Sequence, residues 1–265
     1  MMDRIGQARE GYLEGDFNKT RLSHTLKAIR NQIRHHEDHK TEYILPEIIL
    51  GGQDGVVNVL GIVLGIAAAT STTQIILAAG FAATFAESIS MAAVAYTTKL
   101  AEADYYESEY QREKWEIENV PEGEREEIRE LYKKYGFSGN TLEIIIGKLT
   151  SDKKIWHKVM MEQELKLSPV KRKEALPAAL IVGTSSFIGS LIPLLPFVFL
   201  DIIPAVVLSV ALSAVTLFSA GIYKAKITIN KKFFRSGFEM LIIGMVSAFV
   251  GFLIGSLFKI EPSFQ

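Results

Sequence analysis

The distribution of charge along this chain restricts its fold more than any other feature. Between Glu47 and Glu87 the only charged side chain is Asp54. None lies between Glu174 and Asp201, from Ile202 to Tyr223, or from Met240 to Phe258. Nearly all Lys, Arg, Asp and Glu fall in 1–42, 99–174 and 224–239. This segregation is how a chain with 22% charged residues also reaches 48% hydrophobic residues and a positive mean hydropathy of +0.19. A helix needs about 20 consecutive apolar residues to cross about 30 Å of hydrocarbon. The uncharged stretches have that length, and they predict an all-α, polytopic membrane protein.

Five spans can be counted. The stretch 46–98 is too long for one helix and carries a polar break, Thr70-Ser71-Thr72-Thr73-Gln74, near its middle. It reads as two spans, about 46–70 and 74–98, joined by a tight turn. The stretch 175–223 is broken at Asp201 and Pro204, giving spans of about 175–200 and 202–223, and the last span runs about 238–258. The connection from Lys224 to Arg235 carries five basic residues and no acidic one, whereas the turns at 71–74 and 201 carry no basic residue. Basic loops stay on the cytoplasmic side. The expected order is therefore a cytoplasmic helical extension (1–45), spans one and two (46–98), a cytoplasmic acidic segment (99–170), spans three to five (171–258) and a non-cytoplasmic tail (259–265).

Several function classes lose support. The chain has no Cys, which removes disulfides, thiolate metal sites and cysteine nucleophiles. A net charge of −1 gives no sign of nucleic-acid binding. The first twenty residues have no apolar core of the signal-peptide kind. No cofactor is expected.

Asp54 is the most informative residue. A carboxylate near mid-span costs on the order of 3 kcal/mol even on lenient insertion scales, so it normally faces a partner, a cavity or a pathway. Glu47, Gly51, Asp54, Asn58, Gly61 and Gly65 are spaced 4, 3, 4, 3 and 4, so they share one helical face. In the second span Thr84, Glu87 and Met91 follow at spacings of 3 and 4, which makes Glu87 a second costly carboxylate. Two carboxylates, an amide and a thioether could bind a partly dehydrated divalent cation, and the thioether favours Fe²⁺ or Mn²⁺ over Mg²⁺ or Ca²⁺. Helix packing or a metal-free proton relay are the alternatives. Gly61 with Gly65, and Gly251 with Gly255, are GxxxG pairs that permit close helix approach, within one protomer or between two.

The segment 99–167 reads as three helices. The first continues the second span to about Val120 and stops at Pro121; the second runs about 122–135 and stops at Gly136. The third runs from about Ser138 to Leu167, with an interruption possible at Thr150-Ser151-Asp152. Between positions 102 and 130 there are twelve acidic and four basic residues. Glu102, Tyr106, Glu109, Glu113 and Glu116 form one stripe at spacings of 4, 3, 4 and 3, and Glu124, Glu127 and Glu130 form another. Such stripes repel themselves unless cations occupy them. His157, Met160, Met161 and Glu164 follow on neighbouring positions. Metal ligation and a merely solvated acidic face both fit this spacing.

The residues at this point resemble the vacuolar iron transporter family, also called the CCC-type iron/manganese transporters. The pieces are Asp54-Gly55 ahead of Gly61-Ile62-Val63-Leu64-Gly65, Ser90-Met91-Ala92, Arg112-Glu113-Lys114-Trp115-Glu116, Pro121-Glu122-Gly123-Glu124-Arg125-Glu126-Glu127, and Met160-Met161 with Glu164. They cover about 43–258 in order. The resemblance implies a homodimer of five-span protomers that moves ferrous iron, and often manganese, out of the cytosol against protons. It makes Asp54 and Met91 pathway ligands, and Glu113, Glu116, Glu124, Glu127, Met160, Met161 and Glu164 cytoplasmic metal ligands. Glu47, Asn58 and Glu87 complete the expected pathway, and Glu102 and Glu109 the expected acidic metal set. Three departures stand out. Val94-Ala95-Tyr96 lacks the acid that commonly follows Ser-Met-Ala in the family, Glu87 stands where small residues are usual, and Lys166 and Leu167 occupy a stretch where a further acid is expected.

His24, His35, His36 and His39, near Glu37 and Asp38, give the extension either a metal-sequestering or a membrane-surface reading. The rivals to transport are a membrane-bound ferroxidase and an anchored metal-sequestering protein. Di-iron bundles use Glu-x-x-His pairs, and none of the five His has a Glu three residues before it. A prokaryotic plasma membrane is the expected location, or a vacuolar one in a eukaryote.

Overall fold

A computed structural model describes residues 4–25, 40–227 and 232–258. Every regular element among them is helical: α1 (Arg4–Glu14), α2 (Phe17–Ser23), α3 (Lys40–Ala69), α4 (Thr73–Asn119), α5 (Pro121–Lys134), α6 (Gly139–Thr150), α7 (Lys153–Val159), α8 (Ala175–Leu194), α9 (Pro196–Phe199), α10 (Ile202–Ile227) and α11 (Phe233–Leu257). A π-helical turn covers Met160–Glu164 and a 3₁₀ turn Arg172–Glu174. His35, His36, Glu37, Asp38, His39 and the tail from 259 lie outside the described residues. The chain divides into a membrane unit, Met1–Ala93 with Ala179–Gln265, and an acidic unit, Val94–Ala178.

Five helices are long and apolar enough to cross a membrane: Ile44–Ala69, Thr73–Asn119, Arg172–Leu194, Ile202–Ile227 and Phe233–Leu257. Their large apolar side chains do not all turn inward. Phe85, Ile89, Leu180, Ile188, Val207, Ile242 and Phe249 stand more than half exposed, a surface that only hydrocarbon covers without cost. The protein is integral to the membrane.

The polar break makes the turn expected of it. Thr70 N–H closes α3 onto the Ile66 carbonyl at 2.9 Å, Thr70 Oγ1 accepts from Thr72 N–H at 3.2 Å, and the Thr72 carbonyl receives the first donors of α4. Around this turn Val59, Val63, Ile76, Leu194, Phe197 and Ala205 form one buried cluster, while Leu60, Leu64 and Ala248 form another. Where α8 ends near Pro193, Ser209 Oγ donates to the Pro193 carbonyl at 2.7 Å.

Small residues set the helix directions. Built side chains on Gly51 and Gly55 of α3 would collide with Val182 and Ser186 of α8, and those on Gly251 and Gly255 of α11 with Gly61 and Gly65 of α3. Both contacts rise in step, so α3, α8 and α11 run parallel. Gly80 meets Leu194 and Gly183 meets Ala92, so α4 runs antiparallel to α8, and Gly221 against Ser236 gives the same relation between α10 and α11. Alternation of direction along five spans is what the span count requires. The two GxxxG pairs therefore face each other inside one protomer.

The acidic unit has its own core: Ile117, Ile128, Leu142, Ile146, Trp156, Val159 and Met160 are buried, with Tyr132 and Leu149 packed on them. Its first helix is the continuation of α4 to Asn119, and α5 carries Pro121 in its first turn, as expected. The predicted third helix is three pieces. α6 ends at Thr150, and Asp152 then caps α7 by accepting from Lys154 N–H at 2.7 Å. The chain next widens into the π turn, and closes with Leu167 N–H on the Met161 carbonyl at 2.8 Å, with Lys166 at φ 57°.

Candidate metal sites

The first site lies in the membrane unit. Asn58 Nδ2 on α3 donates to Glu87 Oε1 on α4 at 3.1 Å. Asp54 stands one helical turn before Asn58 on the same face of α3, and its charge acts on Glu87. Asp54 and Glu87 are half-buried and Asn58 is exposed. Asn58 and Glu87 open on a groove of about 800 Å³ whose walls are Gly61 and Gly65 of α3, Ala83 and Ala86 of α4, and Ser247, Gly251 and Gly255 of α11. The glycines that bring α3 and α11 together thus also line the groove. Met91 lies two helical turns C-terminal of Thr84 on α4 and is half-buried; Glu47 is half-buried and engaged in an interaction of its own. The contribution of α11 was not foreseen, although the Gly251-x-x-x-Gly255 spacing carried the signal.

The second site lies in the acidic unit. Carboxylate oxygens of Glu113, Glu116 and Glu124 come within 4.8 Å of one another. Glu113 and Glu124 are 1% and 4% exposed, and each has an Oε2 atom with no hydrogen-bond partner among the described residues. Burying a carboxyl oxygen without a hydrogen-bond partner costs free energy. Two such oxygens in one place are ligand atoms that a cation could satisfy. Burial, then the charges of Glu113 and Glu127, push the Glu124 carboxyl up to about 8. Burial also raises Glu113, with Arg112 pulling it back, and raises Glu164, with Glu127 adding to the effect. Met160 and Met161 are 0% and 2% exposed. Successive α-helical residues point about 100° apart, and the π turn that begins at Met160 keeps both inward.

The other predicted ligands are placed differently. Glu127 is exposed, though close enough to act on Glu113, Glu124 and Glu164. Glu102 pairs with Lys99 at 2.9 Å and stands outside the three-carboxylate group, and Glu109 is held by Arg112 at 2.7 Å. His157 presents Nε2 to the Tyr110 carbonyl at 2.9 Å, and His24 presents Nδ1 to the Thr20 carbonyl at 2.8 Å. Arg112 is the residue that spacing alone did not single out. Its position three after Glu109, one before Glu113 and four before Glu116 was the available signal.

A five-span helical membrane protein with carboxylates in its spans and a second, buried carboxylate centre in a separate acidic unit is the class these features define. Comparison with known proteins gives the family. The model of the VIT family matches residues 45–256. The chain is 34% identical to a vacuolar iron transporter of Centaurea cyanus, with 83% of this chain and 90% of that protein aligned. It is 32% identical to vacuolar iron transporter 1 of Arabidopsis thaliana over 83% of this chain and 90% of that one. With the vacuolar iron transporter of Plasmodium falciparum the identity is 29%, over 96% of each chain. This chain belongs to the VIT family.

Proposed function

We propose that this protein carries a divalent transition metal, Fe²⁺ or Mn²⁺, across its membrane, exporting it from the cytosol in exchange for protons. The observation that carries the reading is the bond between Asn58 and Glu87 with Asp54 one helical turn away, polar and acidic groups kept at a cost in otherwise apolar spans, Asn58 and Glu87 opening on a glycine-lined groove. A cation offsets the repulsion between two neighbouring carboxylates, and a proton arriving there weakens the hold on the cation. Metal and proton then exclude one another at one place, which is the chemistry of an antiporter. Met91 supplies a soft donor on the same helix. The basic connection between spans four and five supports a cytoplasmic acidic unit and N-terminus with the C-terminus outside, and the family resemblance supports movement out of the cytosol. In the cytoplasm the carboxylates of the acidic unit raise the local concentration of cation, and Glu113, Glu116, Glu124, Glu127 and Glu164 with Met160 and Met161 would hold it. The family resemblance supports a homodimer, in a prokaryotic plasma membrane or a eukaryotic vacuolar one.

The test is flux. Purified protein in proteoliposomes with an imposed pH gradient should move Mn²⁺, and Asp54→Asn should reduce that flux by at least about 100-fold, because one carboxylate charge is lost at a dehydrated site. The variant should elute and melt as the wild type does. Wild-type flux in Asp54→Asn defeats the proposal.

A further inference from the structure

The positive charge nearest the acidic centre comes from the chain itself. Arg112 reaches Glu109 Oε2 at 2.7 Å, Glu113 Oε1 at 2.8 Å and Glu116 Oε2 at 2.6 Å. Two of the three carboxylates that converge are therefore already bonded to a cation. We propose that Arg112 is a built-in counter-cation that holds down the metal affinity of the Glu113–Glu116–Glu124 centre, so that metal gathered there can leave again. The inference rests on the reading of this centre as a metal site.

The geometry separates what Arg112 takes from what it leaves. It takes one oxygen of Glu113 and one of Glu116. It leaves Glu113 Oε2 and Glu124 Oε2, both buried and without a partner. A divalent ion finds ligands, but beside a guanidinium that repels it. That charge is permanent: a guanidinium does not lose its proton in a protein, and its bonds to Glu109 raise it further. Without it, the convergent Glu113, Glu116 and Glu124 would have no bonded cation among the described residues. Affinity at oxygen-ligand sites rises with the number of charged ligands. A site of that charge suits a buffer that keeps its metal. A transporter needs one that returns it.

The rival role for Arg112 is scaffolding, in which its planar fork orients the glutamates and so strengthens binding. The two roles differ in sign. Mn²⁺ titration of the purified full chain should show a binding component that Glu113→Gln with Glu124→Gln removes. Arg112→Gln should tighten that component by about tenfold, through loss of one nearby positive charge, and should enlarge the upward shift in melting temperature that Mn²⁺ causes. Arg112→Lys keeps the charge but loses the fork, and should bind within about twofold of wild type. Weaker or unchanged binding in Arg112→Gln overturns the proposal, as does marked weakening in Arg112→Lys. If the wild type lacks a component sensitive to the double glutamine variant, the metal-site reading itself fails, and the arginine proposal with it.

Discussion

In the membrane unit, Asp54 and Glu87 are half-buried, Glu87 is bonded to Asn58, and Asn58 and Glu87 open on a groove. In the acidic unit, Glu113 and Glu124 are closed off and each keeps an unpartnered oxygen, while Arg112 neutralises the cluster from one side. The means of packing differ as well. The membrane unit brings backbones together through glycine, since lipid gives no hydrophobic drive between helices. The acidic unit uses an ordinary core of Ile, Leu and Trp. One unit rests on close backbone spacing, the other on a side-chain core beside a cluster of carboxylates.

Glycine substitutions break this comparison most directly. A side chain on Gly255 would collide with the Gly65 carbonyl, and Gly255→Val should cost about 3 kcal/mol or more, or prevent assembly of the bundle, through overpacking at a backbone contact. Melting in detergent measures it. Wild-type stability would show that α3 and α11 do not touch there.

The next effect is in binding and flux. The double change Glu113→Gln and Glu124→Gln should abolish the acidic unit's Mn²⁺ binding yet lower proteoliposome flux only about tenfold, the loss expected of local concentration rather than of passage. Flux falling as far as in Asp54→Asn would mean that the two units do not divide the work in this way.

Smaller is the pH response of the acidic unit. Glu124 is raised from 4.5 in the free state to about 8, so between these values the folded protein holds a proton that the unfolded chain has released. Its contribution to stability is complete below about pH 4.5 and is lost as pH rises through 8. Metal-free protein should therefore melt lower at pH 8 than at pH 6, the loss should shrink in Glu124→Gln, and Mn²⁺ should reverse it while releasing protons. Equal slopes in wild type and variant would remove Glu124 from the account.

The smallest effect has the opposite sign. Gly147, inside α6, has nothing within 4 Å of where a Cβ would stand. Gly147→Ala should stabilise the acidic unit by about 0.5–1 kcal/mol, since alanine favours helix and meets no obstacle. Calorimetry of the full chain reads this, and destabilisation would reveal a contact on that face.

Much of this was legible in the sequence because membrane crossing imposes long, uncharged helices with no alternative. The span count, the turn at 70–73 and the stop at Pro121 follow from that constraint and from turn chemistry. The approach of Asn58 to Glu87 was legible because helical spacing puts each on a known face and charge is rare there. What spacing could not supply was distance between helices. The groove wall from α11, the choice between intra- and intermolecular GxxxG contact, and the closure of Glu124 onto Glu113 all depend on tertiary approach. In the acidic stripe, spacing treated every glutamate alike, yet Glu102 is paired with Lys99 while Glu113 is sealed. Regular periodicity also hid the broken third helix, because a π turn leaves no mark in a 3.6-residue pattern.

That widened turn gives the protein an indexing problem. Met160–Glu164 accommodates one residue more than an α-helical turn of the same rise, so the chain beyond it is rotated by about a third of a revolution relative to a regular helix. Deleting a single position in this stretch would change no ligand's chemistry. It would send Met161 and Glu164 to different bearings and leave the glutamates of α4 and α5 facing the wrong neighbours. The number of residues between Trp156 and Leu167 therefore matters as much as the identity of the ligands.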